Sequence, residues 1–310
     1  MFCMAAFAML LSSCSGSDYI NAIPKSSTAL ISIDMQKMAE RNHLSDKASV
    51  LKSLLHVDDA ADCGIDATEK LYLFETADGT LGLCAKVSSE DDLENWLSQL
   101  AKEQKVCQPV SERKGFHFSV LKDNWLIGFS DKSLLVMGPV VADAQSELQR
   151  QMVKYLKADE EQGIQSSRLY ESLDSITSPM AMVAQAQALP EKFIAPFTLG
   201  APKGTDASQI VIAAEMNINN GLLCIKGKTF SFNSEVNASL EKANQNYRPI
   251  KGKYVMSMPD DAMAGIFMNV NGTQFLPMMQ SNKGIQQLLL GINAAVDMDN
   301  IIRSVDGDMT

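Results

Sequence analysis

One pattern constrains this chain more than any other: a β-hairpin signal that is written twice. Residues 71–87, LYLFETADGTLGLCAKV, and residues 208–232, SQIVIAAEMNINNGLLCIKGKTFSF, each pair two strand-like runs around a turn dipeptide, Asp78-Gly79 and Asn220-Gly221. These dipeptides supply the positive φ that tight antiparallel turns demand. The hairpins share Leu83-Cys84-Ala85-Lys86 against Leu223-Cys224-Ile225-Lys226, an offset of 140 positions. Each follows a strand and helical sequence: TALISID (28–34), MQKMAERN and ASVLKSLLHV (48–57) in the first case, MAMVAQA (180–186) and LPEKFIAPF in the second. Each precedes a further helix, SSEDDLENWLSQLAKEQ or NSEVNASLEKAN. In the former, Ser89 is placed to cap, Glu90, Asp91 and Asp92 complement the helix dipole, Lys102 and Lys105 close the end, and Leu93, Trp96, Leu97 and Leu100 line one face. Asp34 stands where an N-cap belongs.

A third start appears near the end. Met258-Pro259 leads into AGIFMNVNGTQF as Ile23-Pro24 leads into ALISIDMQKM, an offset of 235, with QQLLL echoing LKSLL. Between the first two copies, GFHFSVLKDNWLIGFSDKSLLVMGP predicts a three-stranded meander turning at Lys122-Asp123-Asn124 and Asp131-Lys132, then a helix over 141–157. The fold class is α+β: recurring strand–helix–hairpin–helix units forming mainly antiparallel sheets backed by helices. Residues 23–250 are expected to hold two such units and the meander, and 251–310 to begin a further repeat. In SVDGDMT, Asp306-Gly307 reads as a hairpin turn whose second strand is absent, so that last repeat is expected to be truncated.

The N-terminus carries a different kind of information. Phe2 to Leu11 are ten consecutive apolar residues, followed by Ser12-Ser13-Cys14. Ten residues reach about 15 Å as a helix, half a bilayer core, so the run reads as the core of a signal peptide over 1–13. Leu11-Ser12-Ser13-Cys14 resembles the lipobox of bacterial lipoproteins, in which the cysteine is acylated and becomes the first mature residue. Acyl chains on Cys14 would anchor the protein, at about 0.8 kcal/mol per buried methylene. Met1-Phe2-Cys3 lacks the usual Lys or Arg, and a start a few residues upstream is expected. Residues 14–22 read as a tether, with Ser15-Gly16-Ser17-Asp18 flexible.

Composition bounds the rest. At 310 residues and 46% hydrophobic content the chain can bury a sizeable core. The net charge of −10, with 27 basic residues spread along the chain, argues against nucleic acid. Of six cysteines, Cys63, Cys84, Cys107 and Cys224 belong to the body; an exported chain has three ways to pair them. Cys84 in LGLCAKV and Cys224 in GLLCIKG sit in strand-like apolar runs, so buried free thiols are expected. No CxxC spacing suggests a redox or zinc site.

With Cys14 before a short polar stretch, Tyr19-Ile20-Asn21-Ala22-Ile23-Pro24 leading to a strand that ends Ser32-Ile33-Asp34 resembles a Bacteroidetes lipoprotein family, domain of unknown function 4836. The resemblance implies a bacterial cell-envelope lipoprotein, lipid-anchored at the outer membrane and facing either periplasm or exterior. It implies no reaction, cofactor or catalytic residue.

No catalytic constellation is read from the residues. His43, His56 and His117 fall in different elements, without metal spacing. Gly227-Lys228-Thr229 lacks the glycine a P-loop requires at position 222. Asp58, Asp59 and Asp62, and Asp297 with Asp299 at the corresponding place, read as solvated or boundary carboxylates; the Asp58 cluster lacks EF-hand spacing. Trp96 reads as core, Trp125 as a ring that the surface can expose, and Met278-Met279 as core filling. The function expected is a non-catalytic binding or scaffold module, engaging the membrane through Cys14 and an envelope protein or polymer; an envelope hydrolase assembled across repeats, or a solute-capture protein, are the alternatives.

Overall fold

The computed structural model describes residues 16–41, 63–103, 106–219, 222–254, 257 and 267–309. The fold is α+β, with antiparallel sheet backed by helices. The chain divides into two compact units: Met1–Ser27 with Ile33–Glu171, and Thr28–Ser32 with Ser172–Thr310. It opens through strand β1 (Ala29–Ile33) and helix α1 (Met35–Arg41). Asp34 caps α1 as expected, its carboxylate accepting from the Lys37 amide at 2.9 Å.

In the first unit, β2 (Leu71–Glu75), β3 (Leu81–Lys86), β4 (Ser111–Arg113), β5 (Phe116–Leu121), β6 (Trp125–Phe129) and β7 (Ser133–Gly138) run in the order β2-β3-β7-β6-β5-β4. Every neighbouring pair is antiparallel. The β2–β3 hairpin turns at Ala77-Asp78-Gly79, closed by a Thr76 amide to Thr80 carbonyl bond of 2.9 Å, with Gly79 at φ +82°. Helix α2 (Glu90–Glu103) starts at Ser89, whose hydroxyl accepts from the Asp92 amide. It lays Leu93 and Leu97 onto Ile127, Phe129, Leu134, Cys63 and Cys107, with Trp96 and Leu100 beside them. Between Ile127 and Phe129, Gly128 meets the tip of Met152 on helix α3 (Gln145–Leu156). Strand β6 is therefore covered on both faces, as its unbroken burial from Leu126 to Phe129 requires.

The segment expected to be a tether is not one at its far end. Asp18–Ala22 form a 3-10 turn in which Tyr19, Ile20, Asn21 and Ala22 are buried, and Ile23 is sealed completely. Three sizeable apolar side chains pull this stretch inside, each contributing about 1.5–3 kcal/mol on burial.

In the second unit, β1 is followed in sheet order by β8 (Met180–Gln185), β9 (Val211–Asn219) and β10 (Leu222–Phe230). Short helix α4 (Arg168–Asp174) leads in. Helices α5 (Glu191–Phe197) and α6 (Ser234–Asn244) cover one face, where Val236 and Leu240 pack on Ile210, Ile212 and Ala186. Strands β11 (Met268–Asn271) and β12 (Asp306–Met309) form a separate antiparallel pair with α7 (Gly272–Ser281), α8 (Lys283–Asn293) and α9 (Met298–Ser304), centred on Phe275, Leu276, Leu289 and Ile302.

Two further expectations are corrected. Asp306-Gly307 is no turn: both residues lie in β12, opposite Asn271 and Val270. Asp308 draws the chain there by accepting from the Lys251 and Lys253 amides and the Asn269 side chain. None of the four body cysteines forms a disulfide, but whereas Cys63, Cys84 and Cys107 are buried, Cys224 is exposed. It lies on β10, where alternation along the strand puts it on the same exposed face as Lys226 and Lys228.

Candidate functional site

The site grows out of the alternation in Lys226-Gly227-Lys228-Thr229-Phe230. On β10, Lys226, Lys228 and Phe230 share one face because side chains alternate along a strand. The β9 register places Glu215 opposite Lys226 and Ala213 opposite Lys228, adding two residues to that face. The opposite face belongs to the core beneath α5 and α6, through Ile212 and its neighbours. Along the open face run Ser172 of α4 and Ser175, Ile176 and Thr177 just after it. Together these residues enclose a hollow of about 540 Å³ within the second unit.

Its chemistry is cationic, hydroxylated and partly apolar. Lys226 Nζ lies 3.7 Å from Glu215 Oε1, a loose pair open to solvent that puts a carboxylate beside one of the two ammonium groups. Lys228 faces Ala213 and stands 6.0 Å from the centre of the Phe230 ring, within cation–π range. Phe230 is held edge-on by Phe232, with centroids 5.3 Å apart. On the far wall, the Ser175 hydroxyl donates to the Ser172 carbonyl at 2.7 Å and keeps its lone pairs for an incoming donor. The lining contains one carboxylate, the one paired with Lys226, and neither histidine nor cysteine.

Other hollows are shaped differently. In the second unit, α5 and the start of α8 border a space of about 630 Å³ lined by Ile194, Ala195, Ala201 and Pro202. There the Asn282 side chain is already committed, donating to Thr198 at 2.8 Å and capping α8 through the Ile285 amide. In the first unit, Gly16, Asp18, Tyr19, Lys86 and Lys132 border about 230 Å³. Lys86 is bound there by Asp66 and Glu69, each at 3.2 Å. Burial pushes the Asp66 carboxyl up, but hydrogen bonds from Thr68 and the Lys86 ammonium outweigh it and hold the group below its ordinary range.

The sequence-derived candidates scatter. Leu11, Ser12, Ser13 and Cys14 lie outside the described residues, as do His43, His56, Asp58, Asp59, Asp62, the turn Asn220-Gly221 and the helix expected over 48–57. His117 stacks on Phe129 at 5.1 Å, between Glu90 and Glu94 of α2, which makes it a satisfied histidine. Asp297 caps α9, and Asp299 accepts from Gln280 and Asn293, so both are boundary residues. Met278 is buried and Met279 packs beside it in the core; Trp125 is half-buried. Gly227-Lys228-Thr229 is strand, as the rejection of a phosphate loop required. What the sequence left unread is that Lys226, Lys228 and Phe230 share one face, for which their period-two spacing was the available signal.

Among the described residues, no group of three or more His, Cys, Asp or Glu is placed to hold a metal ion. No helix among them is long and apolar enough to cross a membrane.

Compared with known proteins, residues 19–310 match a family model described as Domain of unknown function (DUF4836). No curated protein matches significantly. One solved structure, crystal form III of TP0453, is similar over 72% of this chain and 97% of its own, at 12% identity and a TM-score of 0.36.

Proposed function

The chain belongs to the DUF4836 family, and from that premise we propose that it is a lipid-anchored protein of the bacterial cell envelope acting as a non-catalytic binding module. The observation carrying the binding role is the open groove on β9 and β10. Its lining offers cations, hydroxyls and a ring for holding a ligand, while its one carboxylate is engaged by Lys226. General acid–base work needs a titratable pair poised at the reacting atoms, and this lining supports retention better than turnover. The anchor rests on the apolar run to Leu11 and on Leu11-Ser12-Ser13-Cys14. The envelope partner would be a protein or polymer presented to the groove.

Intact mass of the mature protein from native membranes, with protease accessibility on the same cells, tests this reading. A species beginning at acylated Cys14 is expected, and cleavage by external protease would assign it to the cell exterior rather than the periplasm. A soluble, unacylated protein would remove the anchor from the proposal.

A further inference from the structure

We infer that the β9–β10 groove takes an acidic sugar unit of an anionic glycan; this rests on the binding-module reading and names its ligand class. Three features of the lining converge on it. Lys228 supplies an exposed ammonium that stands over the Phe230 ring and has alanine, not a carboxylate, directly opposite it, so an anionic group of a ligand meets no competing carboxylate at that register position. Phe230, two residues along the same face, offers a half-buried ring braced by Phe232, with the Lys228 ammonium 6.0 Å from its centre, so that one sugar unit can meet ring and cation together. A sugar's C–H face covers such a ring while its substituents point outwards. Ser175 lines the opposite wall, and its hydroxyl oxygen, which donates to the Ser172 carbonyl, can still accept from a hydroxyl group at the ring's edge. Carboxylate, apolar ring face and hydroxyls combined in one unit describe a uronic acid.

Charge sharpens the assignment. The whole chain carries −10, so a polyanion is repelled by the molecule at large and gains only where cations are locally exposed. Adsorption without a site is thereby disfavoured. A competing role for Lys226 and Lys228 is to guard the terminal strand β10 against pairing with another chain, as edge lysines do. The two roles differ in what removing the charge does.

The test uses the full chain in detergent, with polygalacturonate as probe and uncharged dextran as control, read by the change in Kd. Saturable binding to polygalacturonate is expected, weakened at least tenfold by Lys228→Ala and by Phe230→Leu. Lys226→Ala should act less, because that ammonium has the Glu215 carboxylate beside it. Lys203→Ala removes the same charge beside the other hollow and should leave Kd unchanged. Dextran bound as tightly as polygalacturonate would overturn the ligand class while leaving a binding module. Polygalacturonate binding that survives Lys228→Ala, or that never appears with the folded protein, overturns the assignment. Self-association of the Lys226→Ala/Lys228→Ala protein with undiminished glycan binding would do so too, by making the lysines edge guards.

Discussion

Tyr19 holds the first described turn in place through both ends of the residue. Its hydroxyl donates to the Lys70 carbonyl at 2.7 Å, and its own carbonyl accepts from the Cys84 thiol and the Ser133 hydroxyl at 3.4 and 3.3 Å. Its ring stands 6.2 Å from Tyr72, which in turn lies 6.4 Å from Tyr170. Tyr19→Phe should cost about 1 kcal/mol, the worth of one hydrogen bond. Tyr19→Ala should cost about 3–5 kcal/mol, since it empties an aromatic site in a packed core. Urea unfolding of the two variants checks both, and equal stability of Tyr19→Ala and the parent protein would contradict the burial described. None of this was legible in Tyr19-Ile20-Asn21-Ala22-Ile23: five residues are too few to display a period, and a short buried turn reads like a linker.

At the scale of elements, what was legible is what local chemistry decides. Helix α2 shows its cap, its acidic first turn and its apolar stripe within fifteen consecutive residues, and the structure returns all three. The Asp78-Gly79 hairpin likewise carries its own turn. Asp306-Gly307 carries the same dipeptide and misled, because β11 and the 251–253 segment decide its conformation from a distance. Strand β4 was missed because three residues leave no alternation to read. The groove was half legible: the spacing of Lys226, Lys228 and Phe230 names a shared face, but only the packing of α5 and α6 says which face stays open. Long-range contact also makes Gly272 irreplaceable. A Cβ there would stand 1.7 Å from the Ile302 carbonyl oxygen, and the Gly272 amide donates to Val305 at 2.8 Å. Gly272→Ala should therefore destabilise by about 3 kcal/mol or more. Hydrogen exchange would show the protection of β11 and β12 falling, whereas unchanged protection would mean the helix ends can part without cost.

The whole molecule should respond most clearly to alkali. Burial drives the Tyr19 phenol and the Cys84 thiol well above their ordinary values, and Tyr155 and Tyr247 are raised in the same way. The unfolded chain ionises these groups near their reference values while the folded chain keeps them protonated. Their contribution is therefore fully present below those unfolded values and is lost as pH climbs from there towards the folded ones. Chemical denaturation should give a flat stability up to about pH 8.5 and a decline beyond it, approaching ~1.4 kcal/mol per pH unit for each group ionised only in the unfolded state. A stability that stays level to pH 11 would show that these side chains already meet water. The buried turn at Asp18–Ala22 has a mechanical consequence as well. Two peptide links separate Cys14 from Gly16, at most about 7 Å at full stretch, and a Cβ at Gly16 would lie 3.3 Å from the Glu69 carboxylate. If Cys14 carries the acyl chains proposed above, so short a link would leave little slack between the anchor and the buried turn, and the first unit would sit close to the headgroups.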